Sequence, residues 1–228
     1  VLIFDFDGVL HDSRERAWRA YQSVRVSMGL HELPDLTSPD DLPLIYQGVL
    51  SRSLTRWIPY ETAEEFWRRH AHLTALTAPE ETCGVIPELV AVLTELGNGP
   101  GYGIVTGSHR DTVEDLLRRE LAPGAMPRVL LSRDDKGSKT DKLRHLRHQY
   151  GARAYVGDTG SDVRHARAAG FLAIAVLYGY AAEEDLAEAI PDTVITTPAE
   201  LATWCRAMTG AASSASSDGT GPDACDDR

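Results

Sequence analysis

From residue 102 to residue 208 the chain alternates short apolar runs with stretches of helical periodicity, and no other feature restricts its fold as strongly. YGIVTG (102–107), RVLLS (128–132), RAYVGD (153–158), LAIAVLYG (172–179) and DTVITT (192–197) read as buried strands. Between and after them, residues 110–120, 139–150, 162–169, 182–189 and 199–208 carry helical spacing. VLIFDF at the start adds one more strand. Strands separated by helices pair in parallel, with helices on both faces. The expected class is therefore α/β, a Rossmann-like doubly wound parallel sheet, whose ligands bind beyond the carboxyl ends of the strands.

The first two strands are separated by about 95 residues, whereas a crossover helix needs about a dozen. Residues 85–97 (VIPELVAVLTELG) supply that helix, with Leu89, Val92, Leu93 and Leu96 inward and Gly97 as its stop. The remainder reads as an inserted helical cap over residues 13–80. It has helices at 12–29 and 40–57, and a third opened by Thr62 with Glu65 as capping-box partner. On the third, Ala63, Phe66, His70 and Leu73 share a face, so His70 is expected to pack and not to ligate. The core is then residues 1–12 and 81–209. The tail, 210–228, has no apolar periodicity and is expected to be disordered.

The formal charge of −11 argues against nucleic-acid polymers and anionic membranes as partners. It leaves small anionic substrates open, because a local lysine, backbone N–H groups or a bound cation can dominate one cleft. Cys83, Cys205 and Cys225 have no zinc or disulfide spacing, and no apolar run approaches the ~20 residues of a membrane span. Free thiols and a cytoplasmic location are expected.

Four elements carry chemistry, three of them directly at strand ends. Asp5 and Asp7, two apart, can meet one ligand; one carboxylate can attack phosphorus while the other protonates the departing oxygen and later takes a proton from water. Gly8 allows a sharp turn beside them. Asp158 and Asp162 add hard oxygen ligands without histidine or cysteine, a set that favours magnesium over zinc. Thr106, Gly107 and Ser108 offer a hydroxyl and N–H groups to phosphoryl oxygens, or equally a helix N-cap. Lys136, Lys139 and Lys142 share a face if helical, and one can reach the pocket.

The ordered set DxDGVxxDS (5–13), hydrophobic-Thr-Gly-Ser (105–108), lysine, VGDxxxD (156–162), ARAAG and a strand ending in YGY resembles the haloacid dehalogenase superfamily. The similarity is greatest to its phosphoglycolate phosphatase and phosphomutase-like branch, with a helical cap between the first two motifs. The resemblance implies Asp5 as nucleophile and Mg2+ ligand, and Asp7 as acid/base and a ligand through its backbone carbonyl. It implies Thr106 at the phosphoryl group, Asp158 as a further metal ligand, and Asp162 as a ligand or a carboxylate orienting the metal's waters; Gly107 as a phosphate-binding position rests on its own N–H. Lys139 is preferred as the phosphate-neutralising lysine because KTDKL resembles the family's Lys-Pro-x-Pro segment, although Thr140 and Lys142 replace the prolines and leave Lys136 or Lys142 open. Gly107-Ser108 departs from the Asn and Lys of many relatives. Dehalogenases and phosphonate-cleaving members lack a second Asp, so Asp7 disfavours both chemistries.

The expected activity is a Mg2+-dependent phosphatase acting on a small phosphate monoester (a sugar phosphate, a phosphoglycolate-like acid or a nucleotide), as monomer or homodimer. A sugar phosphomutase is the alternative, and a catalytically silent binding protein a more distant one. In the cap, Tyr46, Arg52, Arg56 and Trp57 are candidate substrate contacts, against a reading in which Trp57 packs and the arginines face solvent. His11 and Ser13 are expected to be local turn and capping groups.

Overall fold

The computed structural model describes residues 1–47, 52–77 and 84–215. Six strands, β1 (Leu2–Phe4), β2 (Tyr102–Val105), β3 (Val129–Leu131), β4 (Ala154–Gly157), β5 (Leu172–Val176) and β6 (Thr193–Ile195), form one parallel sheet in the order β3-β2-β1-β4-β5-β6. β1 is central, with Leu2 in register with both Tyr102 and Ala154. The doubly wound parallel architecture expected from the alternation is the one found.

Alternation along the strands splits the core into two layers. Phe4, Ile104, Val156 and Ile174 point to one face, packing with α3 (Pro87–Asn98), α4 (Arg110–Glu120) and α8 (Pro198–Ala215). Ile3, Val105, Tyr155 and Ala173 point to the other, against α5 (Lys139–Tyr150), α6 (Gly160–Ala168) and α7 (Glu183–Glu188). Gly97 does not stop α3, which continues to Asn98. A Cβ there would lie 2.6 Å from the Ala125 Cα, so its role is close packing against the 3-10 turn Pro123–Ala125.

Between β1 and α3 the chain builds a third apolar cluster. Tyr21 and Val24 of α1 (Arg14–Ser27) pack with Phe66 and Trp67 of α2 (Tyr60–Thr77), and Tyr180 reaches in from beyond β5. The helix expected over 40–57 does not form. Pro39–Leu44 make a 3-10 helix capped by Ser38, and 53–57 form turns, while 48–51 lie outside the described residues. Pro43 has no N–H to donate, which keeps a regular α-helix from continuing through it. α2 opens at Tyr60, two residues before Thr62, and Glu65 pairs with Arg68 and Arg69 on the helix surface instead of capping it. At the other end α8 runs to Ala215; the rest of the expected tail, 216–228, lies outside the described residues. Cys205 is buried and free; Cys83 and Cys225 are not among the described residues.

Ile190 is the described non-glycine residue with positive φ (59°), 64% exposed, directly after the α7 C-cap Ala189. That position usually belongs to glycine, and a β-branched side chain is strained there. Ile190→Gly is expected to raise stability by about 0.5–1 kcal/mol, the αL relief less the unfolded-chain entropy of glycine. Urea unfolding at constant pH reads this as a higher midpoint; a lower one contradicts it.

Candidate active site

The sheet delivers its chemistry at one edge. Asp5 follows β1, Thr106 follows β2 and Asp158 follows β4, and all three line one cavity of about 280 Å³ with Asp7, Lys139 and Asp162. Asp5 is fixed by its N–H donating to Val156 O (2.8 Å) and by its Oδ1 accepting from Phe6 N–H (2.9 Å). Gly8 is required here: its φ is +78°, and a Cβ would fall 2.2 Å from Asp158 Oδ2. The glycine therefore admits the opposing carboxylate as well as the turn.

Of the three lysines, Lys139 reaches the carboxylates, with Nζ 3.1 Å from Asp5 Oδ2 and 2.6 Å from Asp162 Oδ1. Ser138 and Asp141 form a capping box that starts α5 at Lys139 and aims it there. Lys136 lies before the helix and is exposed, so the three do not share a helical face. Lys142 is buried and donates to Ser132 O (2.5 Å). Asp162 serves two tasks: Oδ2 accepts from Thr159 in the capping box that begins α6, and Oδ1 takes Lys139 and the Tyr155 hydroxyl. Thr106 Oγ1 accepts from Ser108 N–H (3.0 Å), and Gly107 opens onto the cavity. Neither Thr106 nor Ser108 caps α4; Asp134 accepts from Arg110 N–H at that terminus.

Charge is distributed unevenly among these groups. Burial pushes Asp5 up to about 7, with Asp162 and Asp7 adding to the rise and Lys139 opposing it. Burial, with Asp162 and Asp5 as neighbours, pushes Asp158 well above the ordinary carboxylate value. For Lys139 burial works against the charge, but Asp162 and Asp5 outweigh it and raise its pKa. Burial alone would raise Asp7 too, yet hydrogen bonds from His11 and Ser108 and the Arg16 guanidinium hold it well below the usual range.

Carboxylate oxygens of Asp5, Asp158 and Asp162 lie within 4.8 Å of one another, a group that could hold a metal ion. Asp158 Oδ2 accepts from Tyr180 N–H (2.8 Å), whereas Oδ1 is buried without a hydrogen-bond partner among the described residues. An orphaned anionic oxygen beside two further carboxylates fits a hard cation such as Mg2+. The Asp7 side chain is outside that group, turned toward His11, Arg16 and Ser108.

The sequence profile of the haloacid dehalogenase-like hydrolases matches residues 2–176 of the chain. The chain belongs to that family. It is 26% identical over 211 residues, 88% of its own length and 94% of the relative's, to a phosphoglycolate phosphatase of Synechococcus elongatus. In fold it is similar to a haloacid dehalogenase-like hydrolase of Streptococcus pneumoniae (TM-score 0.70, 18% identity, covering 89% of this chain and 96% of that one). It is also similar to CbbY of Rhodobacter sphaeroides, solved with phosphate (TM-score 0.61, 19% identity, 88% and 95% covered). No helix among the described residues of this hydrolase is long and apolar enough to cross a membrane.

Several site residues of this family member escaped the sequence reading. His11 lies in the turn after β1 and Ser13 at the N-cap position of α1, as expected, but Ser13 makes no side-chain cap and both side chains reach further. His11 is fully buried, stacked on Phe6, with Nδ1 donating to Asp7 Oδ1 (3.2 Å), and Ser13 Oγ meets the Tyr180 hydroxyl at 2.5 Å. Arg16, on α1, donates from Nη2 to the same Asp7 oxygen (2.8 Å). Of the four cap candidates only Tyr46 lines the cavity, stacked on Tyr180 with centroids 4.7 Å apart. Arg56 lies over Trp57 away from it, and Arg52 is exposed. His70 packs as expected, against Phe66 and Trp67, and also faces the cavity. Its Nε2 donates to Ala17 O (2.9 Å), and burial lowers its pKa to about 4.

Raised carboxylate values have a consequence for stability. Where a folded carboxylate binds a proton that the unfolded chain has released, stability falls as pH rises; for Asp5 that window runs from about 4 to about 7, and for Asp158 it also opens near 4. Neutral His70 acts in the opposite sense between its folded value of about 4 and about 6.5, so the informative quantity is a difference. The rise in melting temperature on adding Mg2+ to chelator-treated protein is expected to grow from pH 5 to pH 8, because the cation needs the deprotonated carboxylates. A rise that shrinks over that interval contradicts the assignment.

Proposed function

We propose that the chain is a Mg2+-dependent phosphatase of small phosphate monoesters that works through a phosphoaspartyl intermediate on Asp5. Family membership and the phosphoglycolate phosphatase relative support a phosphoric monoester hydrolase. The observation that carries the finer reading is Lys139 bridging Asp5 and Asp162 beside the orphaned Asp158 oxygen, on the wall that also holds Thr106.

In this reading substrate displaces the Arg16 contact that keeps Asp7 ionised, and Asp7 takes a proton from solvent. Asp5 Oδ then attacks phosphorus and the bond to the leaving oxygen breaks, while Asp7 gives that oxygen its proton. Water then attacks the phosphorus of the acyl phosphate and loses a proton to Asp7, and the Asp5–phosphorus bond breaks to release inorganic phosphate. Thr106 and Gly107 hold non-bridging oxygens, and Lys139 offsets charge between them and Asp5. Asp5, Asp158, Asp162 and the Asp7 backbone carbonyl would hold Mg2+, whose charge lets a phosphate dianion enter among carboxylates.

Residues 13–80 act as a cap that closes one side of the cavity through Arg16, Tyr46, Gln47 and His70. About 280 Å³ is at the small end for ligand sites, which favours short esters over nucleotides. We place the enzyme in the cytoplasm, as a monomer or homodimer. Hydrolysis of p-nitrophenyl phosphate is expected to require Mg2+. Asp5→Asn is expected to lower kcat by on the order of 10⁴-fold while the circular dichroism spectrum is kept. A folded Asp5→Asn protein with wild-type turnover overturns the mechanism.

A further inference from the structure

Arg16 is in a place that neither helix stability nor solubility explains. It stands in the first turn of α1, the end of a helix that disfavours cations, and is only 7% exposed. Arg14 and Arg19 on the same helix stay toward solvent, paired with Asp12 and Glu15. Withdrawing a guanidinium from water returns little stability by itself, so its burial points to a task in the cavity.

The segment between β1 and α3 lines the cavity with Arg16, Tyr46, Gln47, His70, Thr74 and two alanines, Ala17 and Ala71. None of these is acidic, and His70 is neutral above about pH 4. Among the described residues, Arg16 is therefore the formally charged side chain that this segment brings to the cavity, on the lining that the leaving group meets if Asp5 is the nucleophile. Its Nη2 rests on Asp7 Oδ1, 2.8 Å away, and Ser108 holds the other Asp7 oxygen.

We propose that Arg16 is a specificity-determining residue that selects esters whose leaving group carries an anion, exchanging Asp7 Oδ1 for that anion when the substrate binds. The exchange does two things together: a guanidinium fork grips the anion, and Asp7 turns from Arg16 toward the leaving oxygen. An ester with an uncharged leaving group leaves the Arg16–Asp7 pair in place and is a poorer substrate. A carboxylate and a second phosphate offer the fork the same chemistry. This inference rests on the phosphatase reading above and deepens it.

The test compares kcat and KM, at saturating Mg2+, for phosphoglycolate, ethylene glycol bisphosphate and ethyl phosphate. Wild-type enzyme is expected to favour at least one anionic ester over ethyl phosphate by roughly 10- to 100-fold in kcat/KM, with part of the gain in kcat. Which anionic ester is favoured identifies the anion. In Arg16→Gln that ratio is expected to fall toward one, whereas a merely structural arginine would slow all three esters alike and keep it. Should Arg16→Gln fail to fold, Arg16→Lys replaces it: lysine keeps the charge but lacks the fork, and most of the preference is expected to go. Absence of a preference in the wild type, or a wild-type ratio in either folded variant, overturns the proposal. Activity on p-nitrophenyl phosphate separates the levels: an enzyme active on it but indifferent to leaving-group charge overturns the role of Arg16 alone, and inactivity on every ester overturns both readings.

Discussion

Three carboxylates cannot share one ion's reach inside a protein unless something positive holds them there, and most of the local structure at the sheet edge answers that demand. Lys139 spans Asp5 and Asp162, and the Tyr180 N–H steadies Asp158. The Thr159 capping box fixes Asp162 while it starts α6. Removing the ammonium would leave buried carboxyl groups that must either face one another as like charges or hold protons. The remaining imbalance, visible in the raised values of Asp5 and Asp158 and in the bare Asp158 Oδ1, is what a bound cation would relieve.

Asp7 adds to the rise of Asp5 but is held by a different set of partners, although only Phe6 lies between the two. Its partners come from β1's own turn, from the start of α1 and from the loop after β2, so it reports on how α1 sits over the sheet. Tyr180 ties the same two parts together. Its backbone supports Asp158, its hydroxyl meets Ser13 and its ring stacks on Tyr46. Movement of the helical segment would thus be felt at the Asp158 carboxylate as well as at Asp7.

The sheet was legible because six apolar runs and the helices between them repeat a simple period, and the four core motifs were legible because parallel strands bring their ends to one edge. Lys139 could be preferred only by resemblance; the physical choice came from the Ser138 cap, which sets where α5 begins and therefore which lysine turns inward. Arg16 was illegible for a related reason. Arg14, Arg16 and Arg19 look alike along a polar helix, and only the packing of α1 over the sheet sends one of them into the cavity. His11 does lie in a turn, as a histidine after GVL and before DS suggests, but nothing in that pattern shows that its ring stacks on Phe6 and meets Asp7. The helix misread over 40–57 reflects a periodic pattern broken by Pro43, where a missing donor outweighed the spacing.

Phosphate is expected to pass through Asp5. The most direct measurement quenches Mg2+-loaded enzyme in acid during its first turnover with a labelled ester, reduces the acyl phosphate with borohydride and maps the modified residue by mass spectrometry. A single modified carboxylate, at Asp5, is the expected result. Modification at another residue, or steady turnover with Asp5 never modified, would contradict it.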